Sequence, residues 1–301
     1  MRFSPTCYRD YSSFLTLHFS CKVQKVAIDG GFTCPNRDGT KGTGGCIYCS
    51  NRAFSPAYCS PAMSVTAQIE AGKRFLAHKY PHMHYLAYFQ AHTGTYAPLS
   101  RLKALYEEAL NVDGVVGLVI STRPDCVDEP LLSYLQQLAQ RTFVMLEFGI
   151  ETAHDRTLAA INRCHTWAQS RRAINAAAHH RLPVCAHLIL GLPGETKDDM
   201  VSTVRAISAL PVAVVKFHQL QVIRGTRLEQ EELTFPTAQE YARLCAHLVT
   251  WLRPDIAIER FVSESPVSLL VAPRWGLRPQ VFNFMVEDLL NQSGTHQGSS
   301  L

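Results

Sequence analysis

The sequence has no apolar stretch long enough to span a bilayer. Its first residues, MRFSPTCYRDYSSF, also lack the apolar core of a signal peptide. These two absences argue against an integral membrane protein and against a secreted one. We therefore expect a cytoplasmic protein with no membrane partner.

A disulfide framework is also missing, although the chain has ten cysteines among 301 residues. Most of them stand alone in apolar surroundings, which is typical of a reducing compartment. We interpret Cys126, Cys164, Cys185 and Cys245 as small buried hydrophobic side chains. Cys59 lies close to a cysteine-rich loop, and we assign it no role.

No strong charge of one sign dominates the chain, since 29 basic residues face 25 acidic ones. The first 60 residues hold seven of the basic and three of the acidic side chains, so the excess lies there. Arg37, Lys41 and Arg52 belong to this region and surround the cysteine-rich loop. They would favour an anionic substrate, but they do not form the basic patch of a typical nucleic-acid-binding module.

Strand-like apolar runs alternate with amphipathic helical patterns over most of the chain. Six such runs are nearly continuous in hydrophobicity, as expected of parallel strands buried on both faces. They cover residues 23–28, 85–90, 115–121, 143–150, 184–190 and 212–220. Six βα repeats predict an α/β barrel or an open doubly wound sheet, with the functional site at the carboxyl ends of the strands.

This pattern divides the chain into four parts. Residues 1–21 form an N-terminal segment, and residues 22–235 form the βα core. Residues 236–290 form a C-terminal α/β extension with a capping box at Thr237 and Glu240 and a strand at 256–262. Residues 291–301, NQSGTHQGSSL, are polar and small, so we expect a disordered tail.

Three cysteines, Cys34, Cys46 and Cys49, lie in the glycine-rich stretch TCPNRDGTKGTGGCIYCSN, just after the first strand. A structural zinc site needs four ligands, and a fourth would have to be His18 or Cys59. A redox dithiol would use Cys46 and Cys49 and leave Cys34 without a role. An iron–sulfur cluster with one open iron would use all three thiolates.

Further candidate residues follow the strands. Gln90, Arg123, Glu151 and the turn that begins at Gly191 lie just past strand ends, and Arg163 could pair with a ligand carboxylate. His187 would point into the barrel or be a core histidine. Strand alternation places Lys216 and His218 on one face, with Arg224 beyond them. The possible substrate-side residues are Arg123, Lys216, His218 and Arg224.

Several motifs in this order resemble the radical S-adenosylmethionine (SAM) superfamily, and more closely its YtqA/YhcC-type family. That family is related to Elongator-type catalytic subunits and oxygen-independent coproporphyrinogen oxidases. The motifs are DGGFTCPNRDGTKGTGGCIYCSN, YFQAHTGTYAPL, EFGIET, INRCH, HLILGLPGET and APRWGL. The resemblance covers residues 8–290 and implies a partial (β/α)6 TIM-like barrel of the radical SAM type.

The resemblance also implies roles for single residues. Cys34, Cys46 and Cys49 match the ligands of a 4Fe-4S cluster whose open iron binds SAM. The residues that match SAM contacts are Tyr48 beside adenine, Gln90, His92 or Thr93 at the methionyl amino group, Glu151 and His187 on the ribose side, Arg163 at the carboxylate, and Gly191 of the GLPGE turn. The usual glycine-glycine-glutamate motif is absent, and His187 replaces an acidic residue.

The implied reaction is reductive cleavage of SAM to a 5'-deoxyadenosyl radical, with electrons from a one-electron reductant such as flavodoxin or ferredoxin. The resemblance to Elongator-type enzymes implies tRNA as the substrate, at a wobble-uridine side chain. The alternatives are a radical SAM enzyme for a small metabolite such as a tetrapyrrole, and a non-catalytic zinc-binding protein.

Overall fold

The computed structural model describes residues 7–77 and 83–301 of the chain, so residues 1–6 of the predicted N-terminal segment lie outside it. The described strands are β1 (Val23–Ile28), β2 (His84–Phe89), β3 (Val115–Thr122), β4 (Phe143–Glu151), β5 (Val184–Leu190), β6 (Val214–Gln219), β7 (Val222–Ile223), β8 (Ala257–Arg260) and β9 (Leu270–Ala272). The described helices are α1 (Tyr11–Leu15), α2 (Asn51–Phe54), α3 (Val65–Ala77), α4 (Leu99–Leu110), α5 (Glu129–Leu138), α6 (Asp155–Ala160), α7 (Trp167–His179), α8 (Lys197–Ser208), α9 (Ala238–Val249) and α10 (Pro279–Ser293).

Seven strands form one sheet in the order β1-β2-β3-β4-β5-β6-β8, and every pairing is parallel. The sheet curls into a half-barrel. Side chains alternate between its faces, because Leu118 and Ile120 of β3 pack under the helices while Val119 packs inside the barrel. All three are fully buried. The predicted α/β partial barrel is confirmed.

The helices begin where capping residues and apolar stripes predict. Asp128 accepts a hydrogen bond from the Leu131 amide at the start of α5. Thr196 and Thr237 form capping boxes at the starts of α8 and α9, and the sequence predicted the one at Thr237. Buried leucines on one face of α5 then hold that helix against the sheet.

The predicted boundary at residue 235 does not interrupt the sheet. Strand β8 comes from the predicted C-terminal extension, yet it pairs in parallel with β6. This pairing satisfies backbone groups that β6 would otherwise expose at an open edge. The extension therefore completes the half-barrel. Strands β7 and β9 form a separate antiparallel pair.

The predicted disordered tail is wrong. Helix α10 continues to Ser293, and Gln297 beyond it is only 4% exposed. The Gln297 side chain accepts from the Arg9 amide at 2.8 Å and donates to the carbonyls of Arg253 and Ile256 at 2.7 Å. Composition alone could not reveal that these distant backbone groups are available to a polar side chain.

Among the helices of the described residues, none combines the length and the apolarity needed to cross a bilayer.

Candidate active site

The loop between β1 and α2 carries the three cysteines and is folded by its own backbone. The Arg37 amide donates to the Cys34 carbonyl, and the Gly45 amide donates to the Asn36 carbonyl, both at 2.8 Å. Gly44 and Gly45 have positive φ angles of 76° and 75°, which side chains disfavour. The loop turns here and brings Cys46 into the interior, with 7% exposure.

Two side-chain donors point at the Cys46 sulfur. Asn36 Nδ2 and Arg163 Nη1 each lie 3.6 Å from Cys46 Sγ. Asn36 is fully buried and also donates to the Asn162 carbonyl at 2.5 Å. Donors of this kind stabilise negative charge on a cluster sulfur. Sequence reasoning missed Asn36, although it lies in the same loop as the cysteines.

Cys49 is half-buried and lies beside Arg37. Burial, and then the neighbouring Cys46 thiol, raise the pKa of Cys49 above its ordinary value, while Arg37 opposes this shift. Arg37 also donates to the Cys49 carbonyl at 3.0 Å. A metal centre would have to displace the thiol proton, which is the usual cost of forming a metal–thiolate bond.

The three sulfurs fit a cluster better than a single zinc ion. A tetrahedral zinc ion with Zn–S bonds of about 2.3 Å holds its sulfurs about 3.8 Å apart. Within the described ranges, the three cysteine sulfurs do not all lie within 4.8 Å of one another. Cys59 donates to the Ala27 carbonyl, and His18 packs on Phe14 and Phe143, so neither serves as a fourth ligand.

A cavity opens beside the cysteine loop at the carboxyl ends of the strands. It encloses about 790 Å³ of empty space, part of it open to solvent. Its lining includes five residues predicted from the sequence: Tyr48, Gln90, Glu151, His187 and His218. It also includes residues that the sequence did not indicate, among them Tyr88, Gln221, Arg260 and Ser263. A space of this size and mixed polarity is typical of a cofactor or substrate site.

Glu151 reaches the cavity because the end of β4 is irregular. A bulge places Glu151 opposite Leu188, and the φ angle of Glu151 is 68°. Such a conformation costs about 1–3 kcal/mol in a residue other than glycine and is often found at functional sites. Glu151 Oε1 lies 3.1 Å from Arg163 Nη2, which also donates to the Gly149 carbonyl at 2.6 Å.

Arg163 therefore joins the cavity to the cysteine loop. Burial opposes its charge, but Tyr48, Glu151 and Cys46 outweigh that effect and raise the pKa of Arg163 well above its ordinary value. The guanidinium is consequently a permanent cation between Glu151 and the Cys46 sulfur. The Tyr48 hydroxyl beside it is buried and has no hydrogen-bond partner in the described structure.

A network of buried charges lies deeper in the barrel. Glu147 is fully buried and binds Lys216 at 2.8 Å, His187 at 3.1 Å and Lys25. Burial alone would raise the pKa of Glu147, but Lys216 and Lys25 hold it well below its ordinary value. Burial and Lys216 lower the pKa of His187, which is therefore neutral at neutral pH.

The structure does not bring every predicted residue to the cavity. Lys216 faces inward with His218, as predicted, but it is bound by Glu147 and Glu259. Arg123 is buried and does not line the cavity. It pairs with Asp125 and donates to the Arg163 carbonyl, so it stabilises this part of the structure. Arg224 is exposed and is not part of the cavity lining.

Four predicted SAM contacts also lie outside the lining, and Arg163 is one of them. Thr93 is 1% exposed, and its hydroxyl has no partner among the described residues. Gly191 has a φ angle of 85° and lies two residues beyond Ile189, which does line the cavity. His92 has a φ angle of 57°, and its amide donates to Asn51.

Comparisons with known proteins agree with this geometry. Residues 37–207 match the family model described as "Radical SAM superfamily", and residues 212–291 match the one described as "Radical_SAM C-terminal domain". The uncharacterized protein YtqA of Bacillus subtilis is 35% identical, over 97% of this chain and 92% of its own length. Protein YhcC of Escherichia coli is 34% identical, over 95% of this chain and 93% of its own.

A solved structure shares the fold. The archaeal Elp3 of Methanocaldococcus infernus, with an N-terminal deletion, superposes with a TM-score of 0.66 at 17% identity. The match covers 92% of this chain and 64% of the Elp3 chain. With the full-length similarity to YtqA and YhcC and the three-cysteine loop, the family is established. The chain belongs to the radical SAM superfamily, a superfamily of enzymes that use a 4Fe-4S cluster and S-adenosylmethionine.

Proposed function

We propose that SAM binds in the cavity beside the cysteine loop, with Cys34, Cys46 and Cys49 holding the cluster. The observation that carries this proposal is the direct link from Cys46 through Arg163 to Glu151 at the cavity wall. Tyr48, Gln90, Glu151 and His187 are the proposed SAM contacts within the lining. Thr93, Arg163 and Gly191 would support them from just outside it.

The cluster, when bound, supplies the electron that cleaves SAM to methionine and a 5'-deoxyadenosyl radical. The chain's own contribution is to orient SAM and to keep water away from the reacting carbon. Ile189, Leu220 and Ile223 form an apolar part of the cavity wall that suits this task. Arg163 and Arg37 place positive charge near Cys46 and Cys49, and Asn36 directs an N–H donor at the Cys46 sulfur.

An anaerobic SAM-cleavage assay tests the proposal. Reconstituted wild-type protein should form 5'-deoxyadenosine, and Cys46→Ala should form none because one cluster ligand is lost. Cys245→Ala is the matched control, since Cys245 is also buried but lies in α9. Full cleavage by Cys46→Ala would contradict the proposed site.

For the substrate, we propose tRNA, with the reaction at a wobble-uridine side chain. Its support is the fold shared with Elp3 and the sequence resemblance to Elongator-type subunits. Arg52 is exposed beside the loop and could contact a phosphate, whereas Lys41 already pairs with Asp125 at 2.5 Å. We also propose a one-electron reductant such as flavodoxin or ferredoxin. The proposed location is the cytoplasm, where ten unpaired thiols would stay reduced.

Cells lacking the gene and complemented with either wild-type protein or Cys46→Ala would test the tRNA substrate. Nucleoside analysis of their tRNA should show a modification that only the wild-type gene restores. Identical nucleoside profiles in all strains would refute the tRNA proposal without bearing on SAM cleavage.

A small anionic metabolite, such as a tetrapyrrole, is the second candidate. One observation favours it: the cavity lining contains Arg260, a cation that does not belong to the basic loop of the cysteines.

A further inference from the structure

Strand β8 carries a bulge that turns two consecutive side chains into the barrel. Ile258 lies opposite Val215, and Arg260 lies opposite Lys216, so Glu259 is the extra residue. In a regular strand, Glu259 and Arg260 would face opposite sides of the sheet. Here Glu259 contacts Lys25 and Lys216 inside the barrel, while Arg260 lines the cavity. Bulges often redirect side chains in this way next to active sites.

Arg260 has no acidic partner in the described part of the chain. It makes no salt bridge there, and its Nε is buried without a hydrogen-bond acceptor. Its Nη2 lies 3.2 Å from Nε2 and 3.4 Å from Nδ1 of His218. A buried guanidinium donor without an acceptor is costly unless a ligand supplies one.

The other charges of the interior are already balanced. Lys25 and Lys216 are paired with Glu147 and Glu259, and Arg163 is paired with Glu151. Burial and Arg260 lower the pKa of His218 well below its ordinary value, so this imidazole is neutral. Within the described interior, the positive charge of Arg260 is therefore not compensated by an acidic side chain.

The neutral His218 also determines the direction of a second donor, the Ser263 hydroxyl. If Nε2 accepts from Arg260, the remaining proton of the ring is on Nδ1 and is donated to Ser263 Oγ, at 2.6 Å. The Ser263 hydroxyl hydrogen is then available to a ligand. Ser263 lines the same cavity, and Gln219 fixes its backbone through two hydrogen bonds, at 2.7 and 2.9 Å.

We propose that Arg260 and Ser263 form an oxyanion site that anchors a carboxylate or phosphate group of the substrate at the β6–β8 end of the cavity. This inference rests on the proposed function, because it assumes that radical chemistry takes place in this cavity. It adds the substrate class, namely a molecule with an anionic group that reaches into the barrel. Arginine binds both oxyanions through two parallel N–H donors, so the test has one arm for each.

The test uses reconstituted, SAM-loaded protein and three probes of similar shape. Benzoate and phenyl phosphate carry the two oxyanions, and benzamide is the neutral control. Binding is measured by saturation-transfer NMR on the diamagnetic oxidised cluster. We expect at least one anion to bind about tenfold or more tightly than benzamide, because a hydrogen bond to a charged group is worth about 1.5–3 kcal/mol. The preferred anion identifies the oxyanion class.

Variants then test whether Arg260 is the source of the preference for an anion. Arg260→Gln should weaken anion binding about ten- to a hundredfold, and Arg260→Lys should weaken it less because the charge remains. Arg243→Gln, at an exposed arginine of α9, should bind as the wild type does. Iron and sulfide content and the thermal unfolding temperature establish that each variant is folded.

Equal affinity for benzamide and both anions in the wild-type protein would overturn the proposal without any variant. So would unchanged anion binding in folded Arg260→Gln. The outcome is separate from the proposed function, since probe binding is measured without turnover. Anion binding by a protein that leaves tRNA unchanged would keep the site and remove the tRNA substrate.

Discussion

Glu147 has three basic side chains as partners inside the barrel, one more than Glu259. Its two oxygens bind Lys25, Lys216 and His187, and Lys216 also lies 4.9 Å from the centre of the Tyr88 ring. The carboxylate is fully buried, so water cannot replace it as the hydrogen-bond partner of these side chains. This residue organises the floor of the cavity rather than contacting the cysteine loop.

Replacing Glu147 with glutamine should destabilise the protein by about 3–5 kcal/mol, because two buried lysines lose the charge that compensates them. The free energy of unfolding in urea measures this loss. Glu232→Gln is the control, since Glu232 is exposed and such surface changes usually stay within about 0.5 kcal/mol. A loss below 1 kcal/mol for Glu147→Gln would mean that water reaches the network.

With Cys46 as a proposed cluster ligand, Asn36 would act on the cluster through the Cys46 sulfur. Asn36→Ala removes one of the two N–H donors found there and leaves Arg163 as the other. Fewer donors stabilise the reduced, more negative cluster less, so the reduction potential should fall. We expect a decrease of about 60 mV, the one-electron equivalent of a tenfold change in equilibrium constant.

Potentiometric titration followed by electron paramagnetic resonance measures that shift. Asn291→Ala is the control, because its side chain accepts a hydrogen bond from Cys7, which lies outside the cysteine loop. An unchanged potential in Asn36→Ala, with full iron content, would show that the 3.6 Å contact has no electrostatic effect.

At the scale of elements, helix α1 closes the barrel at the end away from the site. It has only five residues, so its stability comes from packing rather than from helix propensity. Phe14 is 5% exposed and packs on Phe143 of β4 and on His18. With Val119 and Met145, it belongs to the apolar cluster inside the sheet.

Phe14→Ala should cost about 3–5 kcal/mol of folding free energy, because it leaves a cavity in that cluster. Chemical unfolding measures the cost. Phe284→Ala on α10 provides a matched control, since Phe284 is 70% exposed. If both variants lost the same small free energy of unfolding, the packing of α1 on the sheet would not stabilise the fold.

At the scale of the whole molecule, the lowered pKa values of three histidines, the buried His165 and the half-buried His187 and His218, make stability depend on pH. Burial, with Arg163 and Arg123 nearby, lowers the pKa of His165 to about 2. Burial also lowers the pKa of His187 and of His218. These rings stay neutral in the folded protein, whereas in the unfolded chain they bind protons below about pH 6.5. Stability is therefore fully present above that pH and falls as the pH drops below it.

Each such histidine should contribute up to about 1.4 kcal/mol of lost stability per pH unit below 6.5. Unfolding free energies at pH 7.5, 6.5 and 5.5 measure the slope. His165→Asn should reduce it by one histidine's share, while His84→Asn, at an exposed position, should leave it unchanged. A slope that stays the same in His165→Asn would mean that His165 is protonated in the folded state.

Much of this architecture follows from local patterns. Runs of β-branched and aromatic residues between amphipathic segments predicted all six core strands, because strands buried on both faces need apolar side chains in succession. Threonine and glutamate at fixed spacing predicted the start of α9. The close spacing of Cys34, Cys46 and Cys49 predicted a metal centre, since those ligands come from one loop.

The remaining features depend on contacts between residues far apart in the sequence. Arg260 is 42 positions from His218, and no periodicity indicates the bulge that turns it inward. The polar tail is ordered because Gln297 meets backbone groups of Arg9, Arg253 and Ile256. Local pattern thus determined the elements and the proposed cluster ligands. Only the tertiary structure decided which charges are paired and which one faces the cavity, because pairing depends on distance in space.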